Sequence, residues 1–120
     1  MKSALSYDKV TIFVGDTVYQ MAINKGVFTL FPYVIENIED DLLTLSLKIN
    51  NKEQIKTKSE HVHSNPVKLA EIYLDKRLEF YHKFLPNEIN NLIQIIEENG
   101  GTVAPSIKSR FAPLTSTEPI

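Results

Sequence analysis

His61 and His63 flank Val62, and on an extended strand this spacing sends both imidazoles to one face, where a metal ion can be shared. A site needs at least a third ligand, and His82 would have to supply it through a tertiary contact that the local pattern does not foresee. Exposed or core-edge histidines are the expected outcome. Glu79 and His82 reproduce the Glu-x-x-His step with which di-iron bundles aim two ligands at one metal. Such bundles need a second copy and further glutamates, whereas the chain holds one copy with both members on the polar side of its helix. No metal and no cofactor is expected.

The same stretch carries Glu71, Asp75 and Glu79 at successive i, i+4 steps, where each like-charged pair costs roughly 0.2–0.5 kcal/mol. Lys68 and Lys83 offset part of that cost. Such a row is a solvated helix face in the first instance, and an acidic ridge for a basic protein surface in the second. Arg77 is the odd residue, because it falls among Ala70, Tyr73, Leu74 and Tyr81 on the apolar side. A guanidinium there must be satisfied, by a carboxylate such as Asp16 or Glu36 or by laying its stem across tyrosine rings. The functional alternative is an interface anchor, since Arg and Tyr are enriched at interfaces. The candidate binding residues are therefore Arg77, Tyr73, Tyr81, Glu71, Asp75 and Glu79.

Catalysis is not expected. Ser, Asp and His occur without a Gly-x-Ser-x-Gly elbow, and four glycines, two of them adjacent at Gly100-Gly101, leave little material for a phosphate-cradling loop. The lack of cysteine removes disulfides, thiolate ligands and thiol nucleophiles together. A formal net charge of -2 is too small to draw in nucleic acid over long range, so that function requires a local basic patch. Lys48, Lys52, Lys56 and Lys58, with Tyr19 or Tyr33 for stacking, would compose one. Glu53 and Glu60 interrupt it, and lysines in that setting also guard a strand edge against pairing.

The elements that position these residues fall into two rhythms. With 120 residues, 42% hydrophobic and 23% charged, the chain suits one folded domain sharing a single core. No apolar h-region follows Met1 and no stretch reaches the ~18 apolar residues of a membrane span, so a cytoplasmic chain without membrane contact is expected. From residue 9 to residue 63 the pattern is that of strands. Val10, Ile12 and Val14 alternate with Thr11 and Phe13, Gly15-Asp16 offers a turn, and Thr17 to Ile23 is rich in β-formers. Asn24-Lys25-Gly26 tolerates the positive φ of a tight hairpin. Val27 to Ile38 continues as a long β-like run, in which Pro32 predicts an edge position, a bulge or a break. Leu43, Leu45, Leu47 and Ile49 alternate with Thr44, Ser46 and Lys48, a polar return strand runs from about Glu53 to Lys58, and a short one covers His61 to His63.

At Ser64-Asn65-Pro66 the period changes, with a capping side chain followed by proline at the first helical position. Residues spaced by 100° collect Val67, Ala70, Leu74, Leu78, Tyr81 and Leu85 on one stripe, with Leu69, Tyr73, Phe80 and Phe84 beside it. Lys68, Glu71, Asp75, Glu79 and His82 take the opposite side. So wide an apolar arc calls for the sheet and a second helix, or a partner chain, to cover it. Pro86 ends this helix, and Asn87 opens another whose Ile89, Leu92, Ile93 and Ile96 form the core stripe, closed by Asn99-Gly100-Gly101. The remaining residues, 101–120, carry three prolines among Ser and Thr and read as a mobile tail.

The segment Phe13-Val14-Gly15-Asp16-Thr17-Val18-Tyr19 resembles the opening of small SH3-like barrels of the KOW and Tudor kind, and the likeness extends through Tyr33 to Ile38 and Leu42 to Ile49, within residues 9–75. The resemblance implies a barrel that binds peptides or nucleic acid through exposed strands and loops. The chain departs from nucleic-acid-binding members in its slight acidity, and from methyl-lysine readers in lacking an aromatic cage on matching loops.

The expectation is thus an α+β fold, an antiparallel β-meander or small SH3-like barrel followed by a helical hairpin within residues 1–100. Its expected role is a non-catalytic protein-interaction module whose partner is another protein or a second copy of itself, with nucleic-acid binding as the alternative. A phage or mobile-element accessory or inhibitor protein fits that profile.

Overall fold

The chain forms six strands, the last five within the two-residue alternation: β1 (Ser3–Leu5), β2 (Thr11–Phe13), β3 (Thr17–Asn24), β4 (Val27–Glu39), β5 (Leu42–Leu47) and β6 (Gln54–Lys58). A 3-10 turn, Ser59–His61, precedes three helices, α1 (Pro66–Glu79), α2 (Pro86–Glu98) and α3 (Pro105–Arg110). In this computed structural model the described residues are 2–49, 53–79 and 86–110. The fold is α+β, with a curled four-stranded antiparallel meander in the order β3-β4-β5-β6, a separate β1-β2 pair, and the helices after them. Among the described residues no helix is long and apolar enough to cross a membrane.

The chain divides into two compact units, one from residues 1–22 and 30–66, the other from residues 23–29 and 67–120. In the first, Ile12, Val18, Ile35, Ile38, Leu43, Leu45 and Val62 form the core, with Ala4 and Tyr33 against it. The alternation of β5 holds for Leu43 and Leu45, which are fully buried, but the strand ends at Leu47, Ile49 beyond it is exposed, and Ser46 of the alternate set is buried. In β2 only Ile12 is buried, whereas Val10 and Val14 are exposed, because the strand spans Thr11 to Phe13 and both valines fall outside its pleat. The first strand has no counterpart in the sequence reading: β1 pairs with β2 from Ser3↔Phe13 to Leu5↔Thr11.

Pro32 does not put β4 at an edge or break it. The strand lies between β3 and β5 and runs through the proline. The missing N–H falls just beyond the last β4–β5 pair, Tyr33↔Leu47, and the Pro32 carbonyl still accepts from the Lys48 N–H at 2.9 Å. The irregularity in the ladder comes instead between Ile35 and Asn37, which makes Glu36 the extra residue of a bulge. The hairpin between β3 and β4 turns at Lys25 and Gly26, with φ of +54° and +79°, the paired positive values of a type I′ turn.

The expected strand from His61 to His63 is not formed. His61 closes the 3-10 turn and is exposed, while His63 is buried and makes an isolated bridge to Tyr19. The two imidazoles therefore do not share a face.

The second unit is built on α1 and α2. Pro66 opens α1 at its first position, as its fixed φ favours. The stripe Ile89, Leu92, Ile93 and Ile96 of α2 is buried, together with Ile95. The end of α2 is closed by Gly100 at φ +91°, with Gly101 N–H donating back to the Ile96 carbonyl at 2.9 Å. A Cβ on Gly101 would meet Val67 and Ile96, and Arg77 pairs with Glu88. The start of α1 thus lies at the end of α2 and the later part of α1 at the start of α2, an antiparallel hairpin. Within residues 101–120, expected as a mobile tail, Pro105 opens the short helix α3, and residues 111–120 lie outside what is described.

Candidate functional site

Three side-chain constellations stand out. In the first unit, Asp8, His63 and Ser64 are brought together, the residue types of a nucleophilic triad. Their wiring is different. Ser64 Oγ donates to Asp8 Oδ2, not to the imidazole, and Ser64 N–H donates to Asp8 Oδ1 at 3.1 Å. Ser6 Oγ also donates to Asp8. His63 Nδ1 accepts the Asn65 N–H at 3.0 Å, so its lone pair is committed and the 3.5 Å approach to Asp8 carries no proton between them. A working triad needs the reverse, with Nδ1 donating to the carboxylate and the hydroxyl donating to the imidazole. Burial pushes the Asp8 carboxyl up, but hydrogen bonds from Ser6 and Ser64 outweigh it and bring the group down to about 2. Asp8 is an ionised clasp on the chain just before α1.

In the second unit, Arg77 finds its partners internally. Nε donates to Glu88 Oε1 at 3.0 Å, and the guanidinium lies over the Phe28 ring at 5.1 Å from its centroid. Phe28 meets Tyr73 edge-on at 5.6 Å. Asn91 donates to the Phe28 carbonyl and accepts its N–H, standing in for a neighbouring strand at the hairpin tip. The expected partners Asp16 and Glu36 are corrected to Glu88: Asp16 accepts the Phe13 N–H at 2.8 Å and Glu36 accepts from Ser46 Oγ. Tyr73 and Arg77 therefore belong to a packed network. Tyr81, His82 and the Glu79 side chain lie outside what is described.

The third constellation is a cleft of about 310 Å³ on the second unit. Leu74 and Leu78 of α1, Ile96 of α2, Val103, Ala104 and Ile107 line it with apolar atoms, and Glu71, Asp75 and Thr102 supply the polar ones. On α1 the contributing positions are 71, 74, 75 and 78, the i, i+3, i+4, i+7 spacing of one helix face. Glu71 and Asp75 were expected on the side opposite the apolar arc. They sit instead at its border, Glu71 half-buried and Asp75 exposed, beside the buried Leu74. Among the described residues neither carboxylate is in an ion pair, and the lysine of α3, Lys108, is paired with Glu97 at 2.6 Å.

The basic row is dispersed. Lys48, Lys56 and Lys58 are exposed, and Lys52 lies outside the described residues. On β6, Lys56 and Lys58 sit opposite Thr44 and Leu42, on the face away from Leu43 and Leu45. Tyr33 packs against the core, its hydroxyl pushed up by burial and then by the Glu53 charge, so it is no platform for that face. Tyr19, on β3, bridges His63 beyond the end of β6 rather than pairing with the lysine-bearing strand itself. Among the described residues no group of three or more His, Asp or Glu is arranged around a metal position.

Among known proteins, no family model, no curated protein and no solved structure matches this chain.

Proposed function

We propose that the chain is a non-catalytic protein-interaction module and that the cleft beside α1 is where it takes hold of its partner. The observation that carries this reading is the border between charge and apolar surface on α1. Glu71 and Asp75, one helical turn apart, stand over a recess floored by Leu74, Leu78 and Ile96. Apolar recesses rimmed by polar groups are the usual form of a protein-binding groove. The polar groups of the types that do chemistry are occupied by structural work: the Asp8 carboxylate and Ser64 hydroxyl hold each other, and His63 Nδ1 holds the Asn65 amide. No buried side-chain nitrogen or oxygen among the described residues is left without a hydrogen-bond partner.

Selection from a random peptide library on the immobilised chain tests the proposal, run in parallel on the wild type and on a Leu78→Glu variant. The reading expects families of peptides that the wild type retains and the variant loses. Selection that yields no family above background, or families held equally by both, would count against it.

A further inference from the structure

We propose that the occupant of this cleft is a cationic amphipathic segment of another protein, presenting Lys or Arg one turn from a branched apolar residue. The inference rests on the reading of the cleft as a protein-binding site and adds the chemistry of what enters it. Glu71 and Asp75 are four residues apart on α1, about 6 Å along its axis, and they lie on the same side of the cleft. A helix carrying basic side chains at i and i+4 presents charges at the same interval, so both carboxylates can be answered at once. Beside them the buried Leu74 and Ile96 close the base of the recess, and the half-buried Leu78 and Ile107 offer the apolar surface that an anchor meets.

A small polar ligand fits less well. Such sites converge several polar groups on the ligand from within, whereas here the polar side chains other than the two carboxylates reduce to Thr102. The cleft also has a wall that can yield. The short α3 contributes Ile107, and its ion pair from Lys108 to Glu97 is exposed at both ends, with 47% and 40% of the side-chain surfaces in solvent. Pairs of that kind hold weakly in water. Arg77 takes no part in this binding, its charge being answered by Glu88.

The test is a nitrogen-15 amide-shift titration of the full chain with synthetic helical peptides of one scaffold: lysines at i and i+4 beside leucines, the same with glutamates for lysines, and the same with serines for leucines. Spermine serves as a small-cation control. The expected result is saturable shifts at the cleft residues with the first peptide, with affinity about tenfold weaker for the Glu71→Gln, Asp75→Gln variant, as two exposed ion pairs warrant. Raising the salt on the wild-type chain should weaken it similarly, which keeps the test independent of how the variant folds. If the glutamate peptide binds the cleft as well as the lysine one, the charge inference is overturned and the binding site stands. If spermine alone saturates the same shifts, the occupant is a small cation. If none of the peptides shifts the cleft residues, the site itself is withdrawn along with its occupant.

Discussion

The Arg77 guanidinium stands 5.1 Å over the centroid of the Phe28 ring while its Nε donates to Glu88 at 3.0 Å. One cation thus joins the tip of the β3–β4 hairpin to both long helices of the second unit. The side chains of Arg77 and Glu88 are 20% and 16% exposed, so water replaces these contacts poorly when one is removed.

Arg77→Ala should accordingly cost roughly 2 kcal/mol, the sum of a lost cation–π contact and a partly buried carboxylate left without this partner. Arg77→Lys keeps the charge but loses the planar stacking surface, and should fall between the two. Urea unfolding of the variants measures this. Stability equal to wild type for Arg77→Ala would place the residue outside the structural network.

Asp8 sets a pH dependence whose sign follows from its lowered carboxyl. Its folded value of about 2 lies below the ordinary aspartate value of 3.8. The stabilisation is therefore complete above the unfolded value and lost as pH falls from about 4 towards 2. Asp8→Asn should cost on the order of 1–2 kcal/mol at neutral pH, allowing for solvent screening, and should flatten that acid limb. Unfolding curves at several pH values check both. An acid limb that is as steep in the variant would assign it to other groups.

Adjacent glycines at the end of α2 should respond for different reasons. An alanine Cβ at position 101 would lie 2.6 Å from Val67 Cγ1 and 2.8 Å from Ile96 Cγ2, an overpacking cost of about 1–3 kcal/mol. Gly100 has open space around it but φ of +91°, so Gly100→Ala should cost about 1 kcal/mol through the backbone alone. Thermal unfolding should rank Gly101→Ala as the less stable of the two. The reverse order would mean that α1 and α2 are less closely apposed there.

Asn91 supplies both a donor and an acceptor to the backbone of Phe28, a residue that is 2% exposed. Asn91→Leu removes both and should cost about 1–3 kcal/mol, since buried peptide groups then lose their partner. Amide hydrogen exchange at Phe28 should accelerate by the same factor. Exchange that is unchanged would show that the hairpin tip does not depend on this amide.

The parts of the fold that were legible in the sequence are those whose signal is local and periodic. The alternation of Leu43 and Leu45, the positive-φ residues of the Asn24-Lys25-Gly26 turn, the change of period at Asn65 and the stripe Ile89, Leu92, Ile93, Ile96 each express one element's own geometry. β1 escaped notice because it has three residues and Ala4 alone packs on the core. Partners were less legible than positions. That Arg77 must be paired followed from its place among apolar residues, but the choice of Glu88 depends on how two helices align, which no local pattern states. In the sequence Asp8 is one more polar residue near the N-terminus, and its role appears only when Ser64, 56 residues later, reaches it. The cleft is half visible in the sequence: Glu71 and Asp75 belong to the acidic row of α1, but Val103, Ala104 and Ile107 come from a segment without a readable period.

The most direct test of binding through the cleft is to fill it without touching the core. Ala104 lines the cleft and is exposed, so Ala104→Trp places a large side chain in the recess at little cost to the fold. The measurement is the Kd of the lysine-leucine peptide for this variant, alongside its unfolding midpoint. The account predicts an unchanged midpoint with affinity reduced by about tenfold or more. Equal affinity in wild type and Ala104→Trp would contradict it.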